Sequence, residues 1–503
     1  MPACELPENP DLGHLKNQAK ALQRAVRTGD REALALVGEF HPRLGPLATG
    51  GVGVPRFSRA EAQLVVARRY GFASWTLLRG HLDRVAQYAR QPYVEVGTRQ
   101  ADDRDRKVDE FLRLACLTYG DDDVARRDRA RAMLAANPEL ASATIHTMAA
   151  VGDVAAADAV LADDPSQVRR QGGPHDWEPL LYGAYSRLDG TGPGHSTLEV
   201  SRLLLSHGAD PDAGYLSNGL YPFTALTGAF GEGEKGPIRQ PRHQYCTDLA
   251  RLLLDSGADP NDSQALYNRQ FLPDDSHLEL LFPYGLGTGS GGPWHARFAA
   301  NHPSPGELMR DQLEWAAERN LPNRVRLMLD NGVDPAGRDV PVGANGSAYE
   351  IALRAGNAEI ARMLLAAGAD PVSLDPVQTL RAALMVPDQA TVNRLVSSDP
   401  TLVKQVLAVE PDLILRAAEL GRLEAVRLMA TMGFDVDVRR RVTALHEAAG
   451  NGDLAMVQLL VELGADPTIR DGEHHSSPLE WAEYGEHREV VDYLAGRLGS
   501  ASR

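Results

Sequence analysis

A nine-residue ending recurs along this chain and restricts the folds that it can adopt. "LLVELGADP" ends at Pro467, and similar endings close at Pro211, Pro260, Pro335 and Pro371. The glycine of each ending can take the left-handed conformation that stops a helix, and the proline after it prevents the helix from continuing. A chain that stops its helices repeatedly in the same way is predicted to stack similar units in a row.

The unit is clearest at 443–467, which is predicted to form two helices of about two turns each. Helices of this length are only marginally stable in water, so each pair must bury its apolar face against neighbouring pairs. Thr443 is the expected N-cap of the first helix, because a threonine hydroxyl can accept from free amides of the first turn. We take six residues as the structural signature of the unit: Thr443, His446, Gly452, Gly464, Asp466 and Pro467.

The stretch "TALHEAAGNGDLAMVQLLVELGADP" resembles the ankyrin-repeat consensus in residue order and spacing, although Ala444 stands where proline is usual. The resemblance implies an all-α solenoid of stacked helix-turn-helix units with hairpin fingers. It also implies that His446 bonds main-chain groups across the turn. We assign the solenoid to 105–497, with about eleven helix pairs.

The segment 11–90 is predicted to be a separate helical bundle. Ser58 is a suitable N-cap, and Phe72 and Trp75 are expected near the bundle centre. The segment resembles an N-terminal region that precedes the repeats of bacterial ankyrin proteins. A terminal repeat needs a polar cover, so we expect a capping role, with an independent recognition domain as the alternative. Residues 1–10 and 498–503 are predicted to be disordered.

Three stretches interrupt the repeat pattern and are predicted to be inserted loops: 171–196, 231–244 and 285–306. Loops on a solenoid often carry binding residues, and aromatic side chains are frequent anchors at protein interfaces. The candidate partner-binding residues are Trp177, Tyr215, Tyr221, Trp294 and His295. The alternative is that each loop folds back onto the scaffold.

The chain is acidic, with a net charge of −16, but its charge is uneven. Residues 1–90 contain 13 Lys and Arg against 8 Asp and Glu, whereas the remainder contains 39 against 60. Nucleic-acid binding, which depends on dense positive charge, is therefore not expected. We find no apolar run of membrane-spanning length and no secretion signal. The three widely spaced cysteines favour a reducing, cytoplasmic environment.

Neither a cofactor nor a metal is expected. The run "GTGSGG" at 287–292 fits a dinucleotide-binding pattern but lacks the strand and helix that such a site requires. The run "HEAAG" at 446–450 has glycine where a zinc-binding helix would place its second histidine.

We therefore predict a non-catalytic, monomeric scaffold or adaptor of bacterial origin that binds a protein on its concave face and finger loops. Two alternatives remain. One is an enzyme or ligand-responsive regulator with a site between the bundle and the inserted loops. The other is an acidic inhibitor that sequesters a basic toxin or nucleic-acid-binding protein through charge attraction.

Overall fold

In a computed structural model, the chain divides into two compact units, Met1–Leu308 and Met309–Arg503. The structure describes residues 6–7, 11–44, 56–92, 103–120, 122–188, 190–298, 302–338, 346–472 and 474–501. Most of the predicted disordered segment 1–10, and residues 502–503, lie outside this range. The final helix continues to Ala501, four residues beyond the predicted end of the solenoid.

The N-terminal bundle consists of α1 (Leu12–Arg27), α2 (Arg31–Phe40), α3 (Arg59–Arg69) and α4 (Trp75–Tyr88). Ser58 begins α3 as predicted. Its hydroxyl accepts from the Glu61 amide, and the Glu61 carboxylate accepts from the Ser58 amide. Phe72 is buried in the bundle core, and Trp75 is half-buried against it.

The rest of the first unit consists mainly of short helices that pack against one another. They are α5 (Asp103–Ala115), α6 (Val124–Ala136), α7 (Ile145–Val151), α8 (Val154–Asp163), α9 (Pro179–Tyr185), α10 (Thr197–Ser206), α11 (Ala225–Phe230), α12 (Gly236–Arg239), α13 (Cys246–Asp255), α14 (Ser263–Gln270), α15 (Ser276–Leu281) and α16 (Gly292–Phe298). Short 3₁₀ helices lie at Pro138–Leu140, Pro165–Arg169 and Phe282–Tyr284.

A small sheet joins the bundle to the repeat helices of this unit. Strand β1 (Ala89–Arg90) pairs in parallel with β2 (Gly214–Ser217), which pairs antiparallel with β3 (Tyr221–Thr224). Beside the sheet, Val85 of α4 shares an apolar cluster with Leu216 and with two aromatic residues of α16. The bundle is therefore attached by both main-chain pairing and apolar burial.

The predicted insertion 171–196 is only partly a loop. It contains α9, whose residues are all buried, and α9 packs against α7 and α10 as the first helix of a repeat pair. The sequence does not reveal this helix because it begins at Pro179 and ends at Ser186 without a glycine stop. The other two predicted insertions also contain short helices, α12 and α16.

The second unit is a row of helix pairs, and one apolar cluster runs through those from Leu380 to Leu494. The first helices α19 and α21, α24 and α26, and α26 and α28 pack side by side. The helices are α17 (Pro305–Glu318), α18 (Pro322–Asp330), α19 (Ala348–Arg354), α20 (Ala358–Ala366), α21 (Pro376–Met385), α22 (Gln389–Ser398), α23 (Leu402–Val409), α24 (Leu413–Glu419), α25 (Leu423–Thr431), α26 (Ala444–Gly450), α27 (Leu454–Glu462), α28 (Pro478–Tyr484) and α29 (Arg488–Ala501).

The signature unit has the helix ends and the N-cap that its sequence predicts. Gly452 and Gly464 have φ values of +70° and +98°, so both helices stop in the left-handed region. Thr443 is the N-cap of α26 and forms a capping box with His446. The other ring nitrogen of His446 lies 3.1 Å from the carbonyl oxygen of Ser476, across the turn.

Candidate partner-binding groove

A groove of about 560 Å³ lies within the second unit, where the first helices α17, α19, α21 and α24 face a common space. We call it the inner-helix groove. Apolar residues line part of it, but charged side chains predominate. The charged lining residues are Asp311, Glu314, Glu318, Arg354, Arg381, Glu410, Asp412, Arg416, Glu419 and Arg440.

The repeat places these side chains in the groove at regular positions. Ser347 and Asp412 are the N-caps of α19 and α24, and the residues four positions later, Ile351 and Arg416, both line the groove. Trp315 occupies the matching position of α17 when its unit is aligned with the others. Four residues is slightly more than one helical turn, so each unit presents this position in the same direction.

An ion-pair network crosses the groove and connects units that are distant in sequence. Arg416 Nε donates to Glu318 Oε1 at 3.1 Å, across 98 residues of sequence, and Arg416 also pairs with Glu419. Arg381 Nε lies 2.8 Å from both carboxylate oxygens of Glu410. These side chains are only partly exposed, so their charges are screened less by solvent than those of surface pairs.

Two glutamates of α17 sit in opposite electrostatic environments. Burial would raise the pKa of Glu318, but hydrogen bonding and charge attraction from Arg416 outweigh it and lower the pKa. Burial raises the pKa of Glu314 to about 7, and the neighbouring Asp311 adds to the rise while Arg310 opposes it. Glu318 is therefore held in its ionised form by Arg416, whereas Glu314 is partly buried with, among the described residues, only the 3.5 Å pair to Arg310.

Trp315 provides the large aromatic surface in this groove. Its side chain is half-buried, and the Arg319 guanidinium carbon lies 4.3 Å from the ring centroid. A tryptophan beside paired charges combines apolar area with polar complementarity, which is typical of residues that dominate binding energy at protein interfaces. Trp315 is not among the predicted contact residues, because it lies on an inner helix and only aromatic residues in loops were expected to be anchors.

Three of the five predicted partner-binding residues point into the protein. Trp177 is 1% exposed, Tyr215 is 2% exposed and Trp294 is 7% exposed. The Trp177 and Tyr215 rings stack at 5.1 Å, and Trp294 Nε1 donates to the Asp212 carbonyl at 2.9 Å. In this conformation these residues offer no surface to a partner, which agrees with the alternative that the loops fold back onto the scaffold.

The other two predicted contact residues differ from each other. Tyr221 on β3 is 54% exposed and remains a candidate contact. His295 on α16 is half-buried, and its Nδ1 has no hydrogen-bond partner within the described part of the chain. Neither residue lines the inner-helix groove.

The buried His175 side chain is expected to make the free energy of unfolding depend on pH. It is 3% exposed, its ring lies 4.5 Å from that of Trp177, and burial lowers its pKa to about 3. In the unfolded chain this histidine has an ordinary pKa near 6.5, so between about pH 6.5 and pH 3 it is protonated in the unfolded state but not in the folded state. The free energy of unfolding therefore falls as the pH drops below about 6.5. We expect His175→Phe to remove about 2 kcal/mol of the stability difference between pH 7 and pH 5.

Urea unfolding of wild type and His175→Phe at both pH values measures this contribution. His14→Phe is a control because His14 lies on the exposed face of α1. If His175→Phe and wild type lose equal stability on acidification, the folded chain tolerates a charged imidazole at this position and the assignment is wrong.

Comparison with known families identifies the repeats. A family model for ankyrin repeats, comprising three copies, matches residues 380–471 and again residues 413–501. The C-terminal units of this chain are ankyrin repeats. These matches include the signature unit and the α21 and α24 walls of the inner-helix groove. Ankyrin repeats are in general protein–protein interaction modules.

The similar curated proteins are short ankyrin-repeat proteins. The Notch-regulated ankyrin repeat-containing protein of Xenopus tropicalis is 43% identical over 65 residues, which are 12% of this chain and 54% of the frog protein. The Notch-regulated ankyrin repeat-containing protein B of Danio rerio is 42% identical over 62 residues, or 12% of this chain and 53% of the fish protein. The chain thus spans about half the length of the curated relatives that it matches.

Within the described residues, no helix combines the length and apolar character needed to cross a bilayer. No group of three or more His, Cys, Asp or Glu side chains within the same residues is arranged to hold a metal ion.

Proposed function

We propose that this chain is a non-catalytic interaction protein that binds a protein partner in the inner-helix groove of its ankyrin repeats. The groove itself carries the proposal, because it combines about 560 Å³ of open space with a half-buried tryptophan and a fixed ion-pair network. The ankyrin family supports it, since these repeats generally bind proteins. The groove would correspond to the concave face of the solenoid.

We further propose that the bound segment of the partner is basic. The groove lining contains six carboxylates and four guanidinium groups. Arg381 and Arg416 are already paired with Glu410 and Glu318. Within the described part of the chain, Glu314 has only the 3.5 Å contact from Arg310 Nε to its Oε1, and burial still raises its pKa to about 7. A lysine or arginine of the partner would supply the missing positive charge. A basic partner is also the one expected if the chain is an acidic inhibitor that sequesters a basic protein.

Capture from the native host on the immobilised chain, followed by mass spectrometry, would identify the partner. Trp315→Ala is expected to weaken the binding of that partner by at least tenfold, because a buried tryptophan anchor typically contributes about 2 kcal/mol or more. Glu314→Gln is expected to weaken binding and reduce its salt dependence, because it removes one carboxylate without changing the side-chain shape.

Glu424→Gln is the matched control, because Glu424 is exposed on α25 and does not line the groove. Circular dichroism and thermal unfolding establish that each variant remains folded. A partner that binds Trp315→Ala and wild type with equal affinity would exclude the groove as its binding site.

A further inference from the structure

A second cavity, of about 210 Å³, lies in the first unit, and the groove proposal does not involve it. Its walls come from the end of the bundle at Tyr88 and Arg90, the turn before α9, the start of the β2–β3 hairpin, and α16. Pockets for drug-sized ligands usually measure about 300–1,000 Å³. This bundle cavity therefore suits a smaller molecule.

The walls of the bundle cavity contain a buried donor without an acceptor. Trp177 lines the cavity and is 1% exposed, yet its indole Nε1 has no hydrogen-bond partner anywhere in the described ranges. Leaving a buried N–H unpaired costs roughly 1–3 kcal/mol. An acceptor supplied by a ligand would remove that cost.

A cation lies in the wall of the same cavity. The Arg297 guanidinium carbon is 5.3 Å from the ring centroid of Tyr88 and 5.2 Å from that of Trp294. No carboxylate within the described ranges lies at ion-pair distance from Arg297, whereas Arg90 in the same wall is paired with Asp176 at 2.9 Å. The aromatic rings hold Arg297 in place while leaving its N–H groups able to bind an anion.

Carboxylates occupy another part of the wall. Glu178 Oε2 is buried and has no hydrogen-bond partner among the residues described. Asp210 and Asp212 also line the cavity, and the Asp210 charge acts on both of the other carboxylates. Burial and this charge raise the pKa of Glu178 to about 7, against the charges of Arg169 and Arg297, and raise the pKa of Asp212 to about 6, against a hydrogen bond from the Asp259 amide. A positively charged group in the cavity would relieve both effects.

We propose that the bundle cavity binds a free α-amino acid. The ligand carboxylate would accept from the Arg297 guanidinium and the Trp177 indole N–H, and the ligand ammonium would donate to Glu178 and Asp210. A zwitterion satisfies both kinds of unpaired group at once, whereas a simple anion or cation satisfies only one. Because bundle and repeat residues share the cavity, the bound amino acid holds the two parts of this unit together.

Thermal unfolding of the full chain, recorded with each of the common α-amino acids in turn, would reveal the ligand. Calorimetry would then give its dissociation constant. Glu178→Gln and Arg297→Gln are each expected to weaken binding at least tenfold. Glu178 Oε2 has no hydrogen-bond partner among the described residues that the glutamine would lose. Glu199→Gln is the control, because Glu199 is an exposed residue of α10 away from the cavity.

Nitrogen-15 labelling of tryptophan provides a second measurement, with the Trp177 indole signal assigned by its loss in Trp177→Phe. The ligand is expected to shift this signal, because the indole N–H gains an acceptor. The proposal is overturned if no amino acid changes either the melting temperature or the Trp177 signal. It is also overturned if an amino acid binds Glu178→Gln and Arg297→Gln as tightly as wild type.

Discussion

Replacing Gly152 with alanine is expected to destabilise the first unit by more than about 4 kcal/mol. Gly152 ends α7 with φ +79°, which alone costs an alanine about 1–2 kcal/mol. A Cβ here would lie 2.4 Å from the main-chain carbon of Ser196 and 2.6 Å from its nitrogen. Relieving that overlap would break the bond from the Ser196 amide to the Gly152 carbonyl and shift the N-cap of α10, at a further cost of a few kcal/mol.

Gly464→Ala is the matched control for this prediction. Gly464 has a similar positive φ of +98°, but a Cβ there would meet nothing within 4 Å. Its expected cost is only the conformational one, about 1–2 kcal/mol. Urea unfolding combined with local hydrogen exchange separates the two effects. Equal losses at Gly152 and Gly464 would show that backbone conformation, rather than contact with Ser196, sets the requirement for glycine.

Replacing Arg187 with leucine is expected to lower the free energy of unfolding of the first unit by about 3–5 kcal/mol. Arg187 is buried, and its guanidinium donates to the carbonyls of Pro241, Gly228, Ser186 and Ala184 at 2.7–3.1 Å. Leucine would leave these acceptors without their donor, and each unsatisfied buried group costs roughly 1–3 kcal/mol. The bond to Pro241 also fixes the predicted insertion 231–244 to α9 and its neighbours.

Arg187→Lys should lose less stability than Arg187→Leu, because lysine keeps the charge but presents its donors from a single atom. Arg202→Leu is the surface control, since the Arg202 side chain is 55% exposed and its pair with Glu199 should contribute less than about 1 kcal/mol. The role assigned to Arg187 is wrong if leucine at this position costs no more than leucine at position 202.

Helix ends and N-caps could be predicted from short stretches of neighbouring residues. The left-handed glycines at 452 and 464, the N-cap at Ser58 and the bond from His446 across the turn are all present. Each depends on the conformation of one residue or on a hydrogen bond within a short, repeated pattern. Such features can be inferred from a single unit, and their recurrence predicts stacking.

The sites could not be predicted in the same way, because they depend on pairs of residues that are far apart in sequence. The Arg416–Glu318 pair and the pairing of β1 with β2 connect segments separated by about 100 residues or more. Burial of Trp177 depends on the rings packed around it, which loop composition does not reveal. Aligning the repeats position by position would have found Trp315, since it matches Ile351 and Arg416.

The central claim is that the inner-helix groove binds the protein partner, and site-specific photo-cross-linking tests it most directly. A photoreactive phenylalanine analogue at Trp315 should form a covalent adduct with the partner that disappears as salt weakens the attraction between charges. The same analogue at Leu365, which is 43% exposed on α20 and outside the groove, should form none. An adduct from position 365 but not from position 315 would contradict the claim.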